Sequence, residues 1–203
     1  MDTLALRHSL DQINPLTDEA WAAIAALVAI RPVAPGEHLL RAGEVASKVL
    51  YVRRGLLREY YLDSAGREST RSFCVEGGYS GSLADLLDSG AAVVSIESLH
   101  AGEVWEMDWA RLDALAERHF SLMKLMRRFA ERLYVRKMTR EFEMLTLPAA
   151  ERYQRFASAF PALDASLPRH MVASYLGITP VHLSRICAAG KSPPSPARQT
   201  GKS

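Results

Sequence analysis

Only two cysteines, Cys74 and Cys187, occur in 203 residues. Two thiols cannot form the disulfide framework of a small secreted domain, nor ligate a cysteine-held zinc or iron–sulfur cluster within this chain. No apolar run of about 18 residues appears, and the N-terminus carries no cleavable signal pattern, so the sequence predicts a cytoplasmic protein with no membrane partner. Catalytic constellations are missing as well. His182 and Ser184 stand two apart on one predicted helix and point different ways, with no acid beside them. His38 and His100 fall in stretches that read as strands. No enzyme activity, metal or cofactor is therefore expected.

What is present is a globular composition, 48% hydrophobic and 24% charged, enough for one large or two small cores. The net charge of +2 conceals an asymmetry. Residues 1–117 carry 10 Lys/Arg against 18 Asp/Glu, whereas residues 118–203 carry 15 against 5. A basic C-terminal half beside an acidic N-terminal half is a footprint expected of a nucleic-acid binder that does not coat its partner uniformly.

Thr17-Asp18-Glu19 reads as a helix cap with acids in the first turn, followed by Trp21, Ile24, Leu27, Val28 and Ile30 at helical spacing until Pro32. From Val33 to Asp108 the pattern becomes short alternating runs (GEHLLRAGE, KVLYVRRG, LLREYYLDSAGRESTRSF, VSIESL, GEVWEM), an antiparallel β-domain with a turn at Asp63-Ser64-Ala65-Gly66. Helical spacing returns from about His119 to Leu145. There Leu122, Met126, Phe129 and Leu133 make a 4-3-4 stripe, read as a dimer interface, with packing on the chain's own β-domain as the alternative. The eight basic residues from Arg118 to Arg140 either approach DNA flanks or solvate a helix face. Pro148 opens a further helix with Tyr153, Phe156 and Phe160 inward, ended by Pro161.

The stretch LPRHMVASYLGITPVHLSRIC, Leu167 to Cys187, carries the strongest signal. Its apolar positions form two short amphipathic helices interrupted at Gly177, a helix-turn-helix. Ala173 lets the helices touch, Gly177 reverses the chain, Thr179 caps the second helix and Pro180 occupies its first turn. The outward face would then present Val181, His182, Ser184 and Arg185, and a basic side chain there can reach guanine or a phosphate in a major groove. Thr179, Val181, His182, Ser184 and Arg185 are the DNA-binding candidates.

In that order, a β-roll, a long helix and ASYLGITPVHLSRI at Ala173 to Ile186, with AAERYQRF at Ala149 to Phe156 and the glycine corners GEHLLRAGE and YVRRGLLREYY, resemble the Crp/Fnr family of dimeric transcriptional regulators. The resemblance covers nearly the whole chain. It implies an α+β fold: an antiparallel, cyclic-nucleotide-binding-like β-roll, a central dimerisation helix and a C-terminal winged helix-turn-helix. It also implies a homodimer on double-stranded DNA, a small-molecule effector and RNA polymerase as a partner. The corresponding domains are 1–117 for the effector domain, 118–146 for the dimerisation helix, 147–190 for the DNA-binding domain and 191–203 for a flexible tail.

Three departures bear on function. Cyclic-AMP-binding members carry Gly-Glu-Leu and then Arg-Ser; this chain has Gly81-Ser82-Leu83, and no basic residue lies between Ser89 and Ser95. A cyclic phosphate there would lack its cation, so the effector is expected to be other than cyclic AMP, with Gly81, Ser82, Leu83, Arg58 and Arg71 as candidate pocket residues. Fnr-type members hold a cluster on several cysteines, whereas here Cys74 reads either as a small core residue or as a haem ligand or oxidation sensor. The recognition helix keeps one Arg, Arg185, where better-known members have an Arg-Glu pair and a later Arg, so the operator is expected to differ. A signalling or scaffold protein that uses the β-roll without sequence-specific DNA binding is the alternative reading.

Overall fold

In the computed structural model the described residues are 3–88 and 90–191, and the chain folds as two compact units, Met1–Phe142 and Glu143–Ser203. The first unit opens with α1 (Leu4–Asp11) and α2 (Asp18–Ala25). Thr17 caps α2, its hydroxyl accepting from Ala20 N at 3.3 Å. The helix ends at Ala25, well before the expected stop at Pro32. Ile30 and Pro32 instead lie in β1 (Ala29–Val33), which pairs on one side only, with β8 (Gly102–Asp108). An edge strand tolerates a proline that cannot donate to the ladder.

Between them run β2 (His38–Leu40), β3 (Lys48–Arg54), β4 (Leu57–Leu62), β5 (Glu68–Cys74), β6 (Tyr79–Ser80), α3 (Leu83–Asp88) and β7 (Val94–Ser98). They form two antiparallel four-stranded sheets, ordered β1-β8-β3-β6 and β2-β7-β4-β5. Val33, Leu50, Val52 and Val104 of one sheet share a buried cluster with Leu40, Leu57, Cys74, Val94 and Ile96 of the other. The β4–β5 turn is built as the sequence reads: Asp63 Oδ1 accepts from Ala65 N and Arg67 N, both at 2.9 Å, and Gly66 takes φ +75°.

The opposite face of the β3/β8 sheet is covered by helices. Tyr51, Trp105 and Met107 bury against Leu6 and Leu10 of α1, Ile24 of α2, Leu112 of α4 (Trp109–Ala116), and Leu122 and Leu125 of α5 (Phe120–Thr146). At 27 residues and about 1.5 Å per residue, α5 is roughly 40 Å long. The expected dimer stripe proves to have another role. Leu122 is 2% exposed, and Met126 and Phe129 pack on the same cluster, the Phe129 ring edge-on to Tyr79 at 5.3 Å. These side chains serve the chain's own core, leaving only half-buried Leu133 of the expected interface beyond it. Their apolar spacing marked a buried face without saying what buries it.

The second unit contains α6 (Ala149–Ala159), α7 (Pro161–Ser166), α8 (Arg169–Leu176) and α9 (Pro180–Lys191). Phe156 is its aromatic centre, stacked near Phe160 and Tyr175 at 5.8 and 5.3 Å. No strand occurs among the described residues of this unit, and the expected tail lies outside them but for Lys191. No helix among the described residues is long and apolar enough to cross a membrane.

Candidate functional site

The turn between α8 and α9 follows from its residues. Gly177 adopts φ +68°, and a Cβ there would also fall 2.5 Å from Met144 Cε. Any other L-residue would be strained in its backbone, whereas the flexible end of Met144 could move aside for a Cβ. Ala173 is fully buried; its carbonyl accepts Ile178 N at 3.0 Å, closing the turn. Leu183, also fully buried, anchors α9 in a core that contains Val172 and Leu176. The Thr179 hydroxyl accepts from His182 N at 3.2 Å, and Pro180 begins the helix where its missing N–H leaves nothing unpaired.

With Leu183 inward, the candidate residues Val181, His182, Ser184 and Arg185 are all exposed, Val181 to 62%, and Thr179 is exposed at the helix start. One polar face with a single guanidinium can lie in a groove.

Sequence reasoning missed the device that holds this motif. Arg152 donates through Nε to Leu176 O at 3.2 Å and through Nη1 to Leu147 O at 2.7 Å and Met144 O at 3.4 Å. Three carbonyls at the ends of α5 and α8 meet one guanidinium, as the negative end of a helix favours. Tyr153 Oη donates to Asp164 Oδ2 at 3.0 Å, and Arg169 pairs with Asp164 Oδ1 at 2.7 Å. The AAERYQRF run therefore carries a fold-holding Arg152 and Tyr153.

In the β-roll, the expected pocket residues do not form one open anion site. Gly81 takes φ +142° and lies against Lys48 O; Ser82 is buried with its carbonyl accepting from Leu86 N; Leu83 is half-buried at the start of α3. Asp85 is buried, and its Oδ2 accepts from Val93 N at 3.3 Å, placing a carboxylate against the segment where a phosphate-binding Arg was sought.

Arg58 and Arg71 are not the open anion receptors that the sequence suggests. Arg58, 2% exposed, pairs with Glu68 at 2.6 Å and Glu97 at 2.9 Å, donates to Thr70 at 3.0 Å and lies over the Tyr60 ring at 4.6 Å. It is the cross-strand partner of Glu97, and a buried guanidinium needs carboxylates around it. Arg71 faces Glu59 at 3.6 Å, and Glu59, itself buried, accepts from Ser80 Oγ at 2.8 Å. Burial pushes the Cys74 thiol up to about 12, with Glu59 adding to the rise, so it stays protonated and is a poor metal ligand or redox nucleophile.

Comparison with known proteins agrees with this architecture. The cyclic nucleotide-binding domain family matches residues 30–119. The transcriptional activator protein Anr of Pseudomonas aeruginosa is 29% identical over 174 residues, covering 77% of this chain and 68% of the relative. The solved structure of FixK2 from Bradyrhizobium japonicum has a TM-score of 0.65 at 21% identity, over 80% of this chain and 83% of the other. The catabolite activator protein of Thermus thermophilus has a TM-score of 0.57 at 22% identity, over 89% and 85%. The chain thus carries a match to the cyclic nucleotide-binding domain family over residues 30–119 and is similar along most of its length to transcriptional activators of the Anr and FnrA type. The relatives it resembles are regulators and not enzymes.

Proposed function

We propose that this protein binds double-stranded DNA as a two-fold homodimer, each protomer laying α9 in a major groove, and that its N-terminal unit responds to a small molecule other than cyclic AMP. The observation that carries the reading is the exposed face of α9, where Val181, His182, Ser184 and Arg185 surround the capped Thr179-Pro180 start while Leu183 is fully buried. A helix that served only packing would not need such a face. Arg185 is the base-reading residue, and RNA polymerase is the partner through which bound dimers act on transcription.

The dimer seam is assigned to the face of α5 opposite the buried stripe. Phe120, Met123, Tyr134, Met138 and Phe142 are 71, 48, 65, 43 and 60% exposed. Apolar side chains so exposed along one helix mark a surface that another surface covers. Two-fold symmetry matches two recognition helices to half-sites about 34 Å apart.

Selecting bound sequences from a random DNA pool tests the reading. Enrichment of two inverted half-sites about one helical turn apart is expected. No enrichment at all would favour a scaffold that uses its β-roll without reading DNA.

A further inference from the structure

Many arginines of the N-terminal unit are answered by carboxylates. Arg7, Arg31, Arg58, Arg71 and Arg127 each hold an ion pair. A row on α5 differs. Arg128, Arg132 and Arg136 stand at i, i+4 and i+8, stacked along one flank of the helix. Among the described residues none of these three has a carboxylate partner; Arg128 and Arg132 instead direct guanidinium donors to the carbonyls of Ile13 at 3.5 Å and Gln12 at 2.9 Å, just beyond the end of α1.

These arginines edge an open groove of about 490 Å³, completed by Ile13, Val135 and Glu131. That volume lies within the range of small-molecule sites. The acid on its rim, Glu131, is already paired with Arg127, which is not part of the lining. Positive charge is therefore left in excess beside an apolar wall.

We infer that this groove binds a phosphorylated small molecule, its phosphate oxygens held by Arg132 and Arg136 and its apolar or aromatic part laid against Val135 and Ile13. Each guanidinium has five N–H donors, and a carbonyl contact uses few of them. The contacts to Ile13 and Gln12 also hold two of the side chains in place, which lowers the entropy lost on binding. Successive arginines are one turn apart, about 5–6 Å, so two can share one phosphate or span a diphosphate. At roughly 100° per residue Arg132 lies about 120° around the helix from Met138, so the guanidinium side of the groove stands clear of the proposed seam, while Val135, about 20° from Phe142, borders it.

This assignment deepens the sensing part of the proposed function and rests on it for its regulatory consequence. Adenosine diphosphate and inorganic pyrophosphate are the probes, titrated calorimetrically into the full chain at low salt. Saturable binding of adenosine diphosphate at micromolar concentration is expected, with pyrophosphate weaker. Replacing both Arg132 and Arg136 by Ala should weaken it at least about tenfold. Val135→Asp, at an exposed position, should do the same, its carboxylate repelling the phosphate and competing for Arg132. No saturable binding up to millimolar nucleotide, or variants that bind like the parent, overturn the site. A chain that binds selected DNA but not the nucleotide refutes the groove and spares the regulator reading; the reverse pattern sustains the groove and refutes the DNA reading.

Discussion

Arg58 and Arg185 show how differently the same side chain is used. Arg185 is exposed on α9, and Arg185→Ala should weaken binding to a selected operator by about 1–3 kcal/mol and relax preference at one base pair, measured by titration against single-base variants. An equal loss on every sequence would make it a phosphate contact. Arg58 is structural: Arg58→Ala would leave half-buried Glu97 without its cation and should cost about 1–3 kcal/mol in denaturant unfolding. Glu106 gives the pH dependence. Burial alone would raise its pKa, but ion pairs from Lys48 and Arg31 hold it below the usual carboxylate value. A depressed folded-state pKa contributes stability above the unfolded value, near 4.5, that is lost as pH falls through the folded one. Glu106→Gln should thus flatten the acid limb of the stability profile. An unchanged limb would place the acid response on other carboxylates.

At the scale of elements, α5 carries two faces with different tasks. Tyr134→Glu combined with Met138→Glu should yield a folded monomer by sedimentation, whereas Phe129→Ala should leave association intact and lower stability by about 1–3 kcal/mol, because Phe129 packs on Tyr79. A double variant that stays dimeric would put the seam on another surface. The end of α2 makes a related point. Leu27, Val28 and Ile30 continue a helical period, yet pairing of Ala29–Val33 with β8 wins, since five residues of ladder outweigh a weak local preference. The two-residue β6 and six-residue α3 are too short for any period to register, and were legible only in three dimensions.

For the whole molecule, charge is divided between an acidic and a basic half, and the prediction is a DNA affinity that falls steeply with salt as counterions are released. A flat response would count against phosphate contacts. Cyclic AMP should bind poorly. Its phosphate would meet the Asp85 carboxylate near Val93 while Arg58 and Arg71 are already paired, and losing two charge-assisted contacts weakens binding by roughly two to four powers of ten. Calorimetry giving a low-micromolar dissociation constant would refute this.

The sequence by itself determined the order of parts, the helix-turn-helix and its outward face, because Gly177, Thr179 and Pro180 encode their geometry within a few residues and Leu183 lies on the same short period. It also showed Ser82 between Gly81 and Leu83 and no basic residue between Ser89 and Ser95, a matter of residue identity alone. Tertiary structure decided what local periodicity cannot carry. Which stripe of α5 is buried depends on Tyr79 and Trp105, far away in the chain, and whether Arg58 and Arg71 are open to a ligand depends on Glu97 and Glu59 arriving from neighbouring strands. An apolar period states that a face is covered and a charge states that a partner is needed; only long-range packing supplies the cover and the partner.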